Sequence, residues 1–140
     1  MHEWEELLQE ANRWLEVQWK QEIASSPWHP ENQLYHVLKR KLRGIDVVQH
    51  AQPVWLAPQH FDVFIPSVSV AVEYMGRQHF EPIDFFGGQW GMRMIQERDS
   101  QKAQLCDRYG VDLLCIRYDD HLGSRVEQVV NAVKKARQTA

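Results

Sequence analysis

The chain has 140 residues, 44% apolar and 25% charged, which is enough for one domain with a core and argues against disorder. No apolar run approaches the ~20 residues of a membrane span, the acidic start Met1-His2-Glu3-Trp4-Glu5-Glu6 lacks the basic and apolar regions of a signal peptide, and the two cysteines, Cys106 and Cys115, exclude a disulfide framework or a four-cysteine zinc site, so a reduced cytoplasmic protein is expected. The net charge of −3 argues mildly against a nucleic-acid binder, but residues 1–26 hold Glu3, Glu5, Glu6, Glu10, Glu16 and Glu22 against only Arg13 and Lys20, leaving a neutral-to-basic body behind an acidic segment.

Residues 3–20 carry Trp4, Leu7, Leu8, Ala11, Trp14 and Leu15 at spacings of three and four, which predicts an amphipathic helix. With Trp19 this helix bears three tryptophans, and it either packs on the body or forms a homodimer or partner face. Residues 1–26 are thus set apart from a domain over 27–140. Ser25-Ser26-Pro27 breaks the chain, and Pro30 suits the first turn of a second helix, where its missing N–H costs nothing. Leu34, Leu38 and Leu42 recur at every fourth position up to a capping Gly44. Lys39, Arg40, Lys41 and Arg43 in its last turn either complement the helix dipole or contact phosphates.

Residues 45–50 and 54–56 predict a strand broken at Pro53, and residues 61–65 and 68–74, rich in β-branched and aromatic types, predict a hairpin. A loop marked by Gly76, Gly87, Gly88 and Gly91 leads to a helix from Met92 to Tyr109, capped by Gly110. A strand over 111–118, apolar on both faces, and a helix with Leu122, Val126, Val129, Val130 and Val133 on one stripe complete the chain. The order α-α-β-β-β-α-β-α predicts an α/β fold in which a central mixed sheet is flanked by helices.

Two carboxylates stand where sheets rarely tolerate them. Asp62 sits among Phe61, Val63, Phe64 and Ile65, and Glu73 follows Val70-Ala71-Val72. A hairpin loop of Pro66-Ser67 puts Asp62 opposite Ala71 with Glu73 diagonal to it, whereas a loop of residues 66–69 puts Asp62 directly opposite Glu73. Either even length places both on one face, roughly 5–8 Å apart, and a three-residue loop separates them. Two half-buried carboxylates that close repel unless a cation lies between them, and all-oxygen donors suit Mg²⁺ or Mn²⁺ better than zinc. On the following helix the apolar stripe 92, 95, 99, 102, 106, 109 is interrupted by Asp99 and Lys102, which predicts an ion pair inside a core-facing stripe and hence a polar site beneath it. Glu31 either complements its helix dipole or leans over the same site as a third carboxylate.

With these residues in view, the chain resembles the PD-(D/E)XK nuclease superfamily, the restriction-endonuclease-like fold with an αβββαβ core, and within it the branch of very-short-patch-repair-type and homing-type endonucleases. The resemblance rests on Pro30-Glu31, Phe61-Asp62-Val63-Phe64-Ile65-Pro66, Val72-Glu73-Tyr74-Met75-Gly76-Arg77-Gln78-His79-Phe80 and Arg98-Asp99-Ser100-Gln101-Lys102, and leaves the N-terminal helix outside. It implies a Mg²⁺- or Mn²⁺-dependent DNA endonuclease in which Asp62 and Glu73 bind the ion and Glu31 assists. The superfamily's lysine two positions after the Glu is Met75 here. That departure implies either that Lys102 supplies the charge while Gln78 orients the water, or that the domain is a silent nucleic-acid-binding or protein-interaction module. Arg77, His79, Lys39, Arg40, Lys41 and Arg43 would contact phosphates, and Asp99 would support Lys102. On this reading Lys102→Ala abolishes cleavage and leaves the fold nearly intact.

Overall fold

His29 starts helix α1 (Pro30–Lys41) by accepting the Glu31 N–H on its Nδ1 at 3.2 Å, ahead of a proline in the first turn. The computed structural model describes residues 29–84 and 87–139. The expected N-terminal helix with Trp4, Trp14 and Trp19 lies outside the described residues. Leu34, Leu38 and Leu42 are buried, as their four-residue spacing requires of one helix face.

Strands β1 (Val48–Ala51), β2 (Phe61–Ile65) and β3 (Val70–Met75) form an antiparallel meander, and β4 (Asp112–Arg117) joins β3 in parallel, giving the order β1-β2-β3-β4. Helix α2 (Gly88–Tyr109) is the crossover between the two parallel strands, and α3 (Leu122–Thr139) follows β4. One sheet face carries Val63, Val72 and Ile116 against Leu34 and Leu38 of α1 and Val126, Val129, Val130 and Val133 of α3. The other face carries Ala71 and Leu113 against Cys106 of α2, with Trp55, Leu56 and Phe61 closing the side. The described residues thus form a mixed α/β layer structure with a four-stranded mixed sheet. No described helix is long and apolar enough to cross a membrane.

The structure differs from the expectation in three places. Strand β1 ends at Ala51, and residues 54–58 form a turn rather than a second strand segment. Helix α2 begins four residues early, at Gly88, because Gly87 (φ 88°) takes a left-handed conformation in which a Cβ would lie 3.2 Å from the Gly91 backbone. Tyr109, expected in the buried stripe, is 50% exposed and stacks on Trp55 with ring centroids 4.5 Å apart. Of the two even hairpin loops, the structure takes the longer, residues 66–69: a 3-10 turn over Pro66–Val68 followed by Ser69 in a left-handed conformation (φ 51°). Ile65 consequently pairs with Val70 and Val63 with Val72. One step further along that register, Asp62 stands across from Glu73.

Candidate active site

Backbone pairing between β2 and β3 stops at Val63 and Val72, and the two carboxylates continue the ladder in its place. Glu73 Oε2 accepts the Asp62 backbone N–H at 3.3 Å, and Asp62 Oδ2 accepts the Tyr74 backbone N–H at 2.7 Å. Each side chain therefore fastens the opposite strand with one of its oxygens. Asp62 is 5% exposed and Glu73 6%, so both charges lie out of water. From α2, on the same sheet face, the Lys102 ammonium donates to Glu73 Oε1 and to the His60 carbonyl at 2.7 Å, and it lies over the Phe61 ring.

These three groups set one another's protonation. Burial, then the charges of Glu31 and Glu73, push the Asp62 carboxyl well above its ordinary value, and Lys102 offsets this only in part. Burial also opposes ionisation of Glu73, but Lys102 and the hydrogen bond from Asp62 prevail and hold Glu73 below the usual range. Lys102 is raised despite its burial because Glu73 and Asp62 face it. The site thus favours a proton on Asp62 over one on Glu73 and favours the charged form of Lys102.

A cavity of about 540 Å³ opens beside this triad, lined by Glu31, Asp62, Glu73, Met75, Gln78, His79, Arg98, Asp99 and Lys102 among others. The structure thus gathers Glu31, Asp62, Glu73, Arg77, Gln78, His79, Asp99 and Lys102 around one space. Glu31 is buried at the start of α1, and its charge reaches Asp62. Gln78 folds its amide back onto Gly76, where a Cβ would displace it. Lys39, Arg40, Lys41 and Arg43 are not brought there: they are exposed at the far end of α1 and just past it, about 12–15 Å or more from Glu31 along the axis at 1.5 Å per residue. Lys41 pairs with Glu127 of α3 and Lys39 donates to the Tyr35 hydroxyl at 3.2 Å. Arg77 lines the cavity but is clamped by Glu81, with Nη2 and Nε at 2.7 and 3.1 Å from one carboxylate oxygen.

The expected ion pair of Asp99 with Lys102 is replaced by two separate partnerships. Lys102 turns to Glu73, and Asp99 Oδ2 lies 2.7 Å from Nδ1 of His79, on the 3-10 turn Arg77–His79 after β3. Both are partly buried, at 19% and 29% exposed. A carboxylate on Nδ1 fixes the neutral imidazole as the tautomer whose Nε2 carries the lone pair. Arg98, unassigned from the sequence, also lines the cavity from α2, and its carbonyl accepts the Gln59 amide. Its place between the polar Glu97 and Asp99 gave no signal of that position.

Among the described residues, no group of three or more His, Cys, Asp and Glu side chains is arranged to hold a metal ion. Compared with known proteins, the chain is 37% identical over 59 residues to "Uncharacterized protein 094L" of Frog virus 3 (isolate Goorha), covering 41% of this chain and 38% of that protein. It is 38% identical over 58 residues to "Uncharacterized protein 033L" of Invertebrate iridescent virus 3, covering 41% of this chain and 30% of that protein. The matched segment thus spans well under half the length of either relative. No family model matches the chain, and no solved structure matches it.

Proposed function

We propose that the chain is a divalent-metal-dependent nuclease that hydrolyses phosphodiester bonds of DNA on a restriction-endonuclease-like core. The observation that carries this reading is the pairing of Asp62 with Glu73 across two diverging strands, at the edge of a cavity, with Lys102 delivered to them from the crossover helix. The described order α-β-β-β-α-β-α, with three antiparallel strands and a parallel fourth, supports it.

The donor set fits Mg²⁺ or Mn²⁺. Magnesium is commonly held by one or two carboxylates plus waters and substrate oxygens, and Asp62 and Glu73 supply two oxygen donors with Glu31 adding negative charge nearby. When bound, the ion would neutralise charge on the phosphoryl oxygens and acidify a water. The chain's own groups divide the remaining work. Lys102, raised and committed to Glu73, stays protonated and contributes fixed positive charge. His79 Nε2, presented by Asp99, accepts the proton of the attacking water, and the leaving oxygen collects its proton from solvent. Gln78 orients that water, since an amide holds a water but takes no proton. Met75 lines the cavity and moves no proton.

Loss of the imidazole is expected to lower kcat by about 10²–10⁴-fold in His79→Ala with little change in KM, and Asp99→Asn is expected to reproduce part of that loss. A rise in KM with kcat nearly unchanged, the signature of a purely phosphate-binding His79, contradicts the assignment. The metal site has its own test in calorimetric titration with Mn²⁺. Asp62 is raised, so its carboxyl favours the folded state below its unfolded value near 3.8 and that contribution is lost as pH rises through the folded value. Ion binding must displace this proton. Mn²⁺ binding is therefore expected to release a proton and to tighten as pH rises. Equal Mn²⁺ affinity in Asp62→Ala overturns the metal reading.

A further inference from the structure

Beside the cavity mouth lies a planar surface that the hydrolytic site does not use. The Arg117 guanidinium, at the end of β4, sits over the Phe80 ring at 3.8 Å from its centroid. Asp119 grips the same guanidinium edge-on, accepting from Nε at 2.9 Å and Nη2 at 3.3 Å. The Arg117 backbone N–H is held by Asp120 at 2.9 Å, so the strand end is anchored as well. Phe80 follows His79 and Tyr118 follows Arg117, and both His79 and Tyr118 line the cavity. The Tyr118 ring lies 6.1 Å from Phe80, and its hydroxyl donates to Glu81, which also clamps Arg77.

The chemistry of this cluster is that of a shelf rather than of a phosphate clamp. Asp119 answers the charge of Arg117, which leaves little net field for a phosphate. What the two contacts do preserve is the orientation of the guanidinium plane, one face on Phe80 and the side chain 45% exposed. Flat guanidinium and aromatic surfaces of this kind stack unpaired bases, which a fully paired duplex keeps inside its own stack.

Building on the nuclease reading above, we infer that the Arg117–Phe80 shelf stacks an unpaired base next to the scissile phosphate, and that the substrate is single-stranded or locally unpaired nucleic acid rather than intact duplex. The shelf adjoins His79, so a nucleotide stacked there has its neighbouring phosphate at the cavity.

The test uses the full chain with a single-stranded oligodeoxynucleotide carrying 2-aminopurine and with the fully paired duplex of the same sequence. Quenching is read in chelator and cleavage in Mg²⁺ and Mn²⁺, and each variant's fold is checked by circular dichroism. Wild type is expected to quench the single strand and to cut it at least about 10-fold better than the duplex. Arg117→Lys, which keeps the charge and loses the plane, and Phe80→Leu, which keeps apolar support and loses the ring, are expected to lose about 10-fold more on the single strand than on the duplex. Cleavage that favours duplex, or that Arg117→Ala impairs and Arg117→Lys does not, overturns the shelf and leaves the nuclease reading standing. Quenching that depends on Arg117 and Phe80, without cleavage in either ion, overturns the nuclease reading and supports the shelf. Neither quenching nor cleavage by wild type overturns both.

Discussion

Asp62→Asn is expected to make the metal-free protein more stable and, on the proposed nuclease reading, unable to cut DNA. Asp62 is buried beside Glu73 and within reach of the Glu31 charge, an environment that resists its ionisation. Asparagine keeps an oxygen to accept the Tyr74 N–H and offers Glu73 an amide hydrogen at every pH, which the wild-type carboxyl does only when protonated. Replacement of a group retained for function at such a site commonly gains about 0.5–2 kcal/mol, roughly 2–8 °C in Tm for a domain of this size. The sign follows from the raised carboxyl: wild-type Asp62 costs the fold most above its folded value and nothing below about 3.8, so the advantage of Asn grows from pH 4 to pH 8. Cleavage is expected to fall by at least about 10²–10³-fold, since one oxygen donor for the ion is lost together with its charge. Thermal unfolding and nicking at both pH values check this. An Asn variant less stable than wild type at pH 8 contradicts the electrostatic description of the site.

Lys102→Met is expected to act in the opposite sense on stability. Its ammonium is the counter-charge of Glu73, with side chains 14% and 8% exposed, and removing one partner of a buried pair typically costs about 3–5 kcal/mol. Against the roughly 5–15 kcal/mol that holds a domain together, that is a large share. This expectation differs from the one drawn from sequence, that a Lys102 truncation leaves the fold nearly intact, because spacing along the helix gave no sign of the buried pair with Glu73. The direction with pH is fixed by both partners. Lys102 is raised, so its contribution is whole below about 10.5 and fades above it; Glu73 is lowered, so its contribution is whole above about 4.5 and fades below. Denaturant midpoints are expected to show the full defect at pH 7 and a smaller one at pH 4, where Glu73 can protonate. The double variant Glu73→Gln/Lys102→Met is expected to recover much of the stability and none of the cleavage. A double variant as unstable as Lys102→Met assigns the loss to packing of the lysine stem instead.

Any even hairpin loop puts Asp62 and Glu73 on one sheet face and a three-residue loop separates them, so the sequence left their meeting conditional on the loop. The choice between a diagonal and a direct pairing was not legible, since it depends on Ser69 entering a left-handed conformation that serine seldom adopts. The interruption of the helical stripe by Asp99 and Lys102 showed that α2 covers something polar. Its local reading as an i,i+3 pair failed because both residues found stronger partners from β3 and the turn after it, 20 and 29 residues away in the chain. Sequence spacing reports neighbours on one helix and is silent on such long-range partners. The basic run Lys39–Arg43 shows the converse. Its composition suggests phosphate contacts, but the direction of α1, with Glu31 at the cavity, carries the run to the opposite end. Arg117 drew no attention because it follows the apolar run Leu113-Leu114-Cys115-Ile116 at a strand end, and the role inferred for it depends on a ring 37 positions earlier in the chain.

The central claim is that Asp62 and Glu73, with Lys102, form a metal-dependent phosphodiester-hydrolysing centre despite Met75. Its most direct test incubates the wild-type chain and Asp62→Asn with a supercoiled plasmid carrying a single-stranded bubble, in Mg²⁺, in Mn²⁺ and in chelator. The account predicts conversion to nicked or linear DNA by wild type in either ion, none in chelator, and none by Asp62→Asn. Intact plasmid in every lane, with a folded wild-type protein, contradicts it and leaves the fold as a silent binding module.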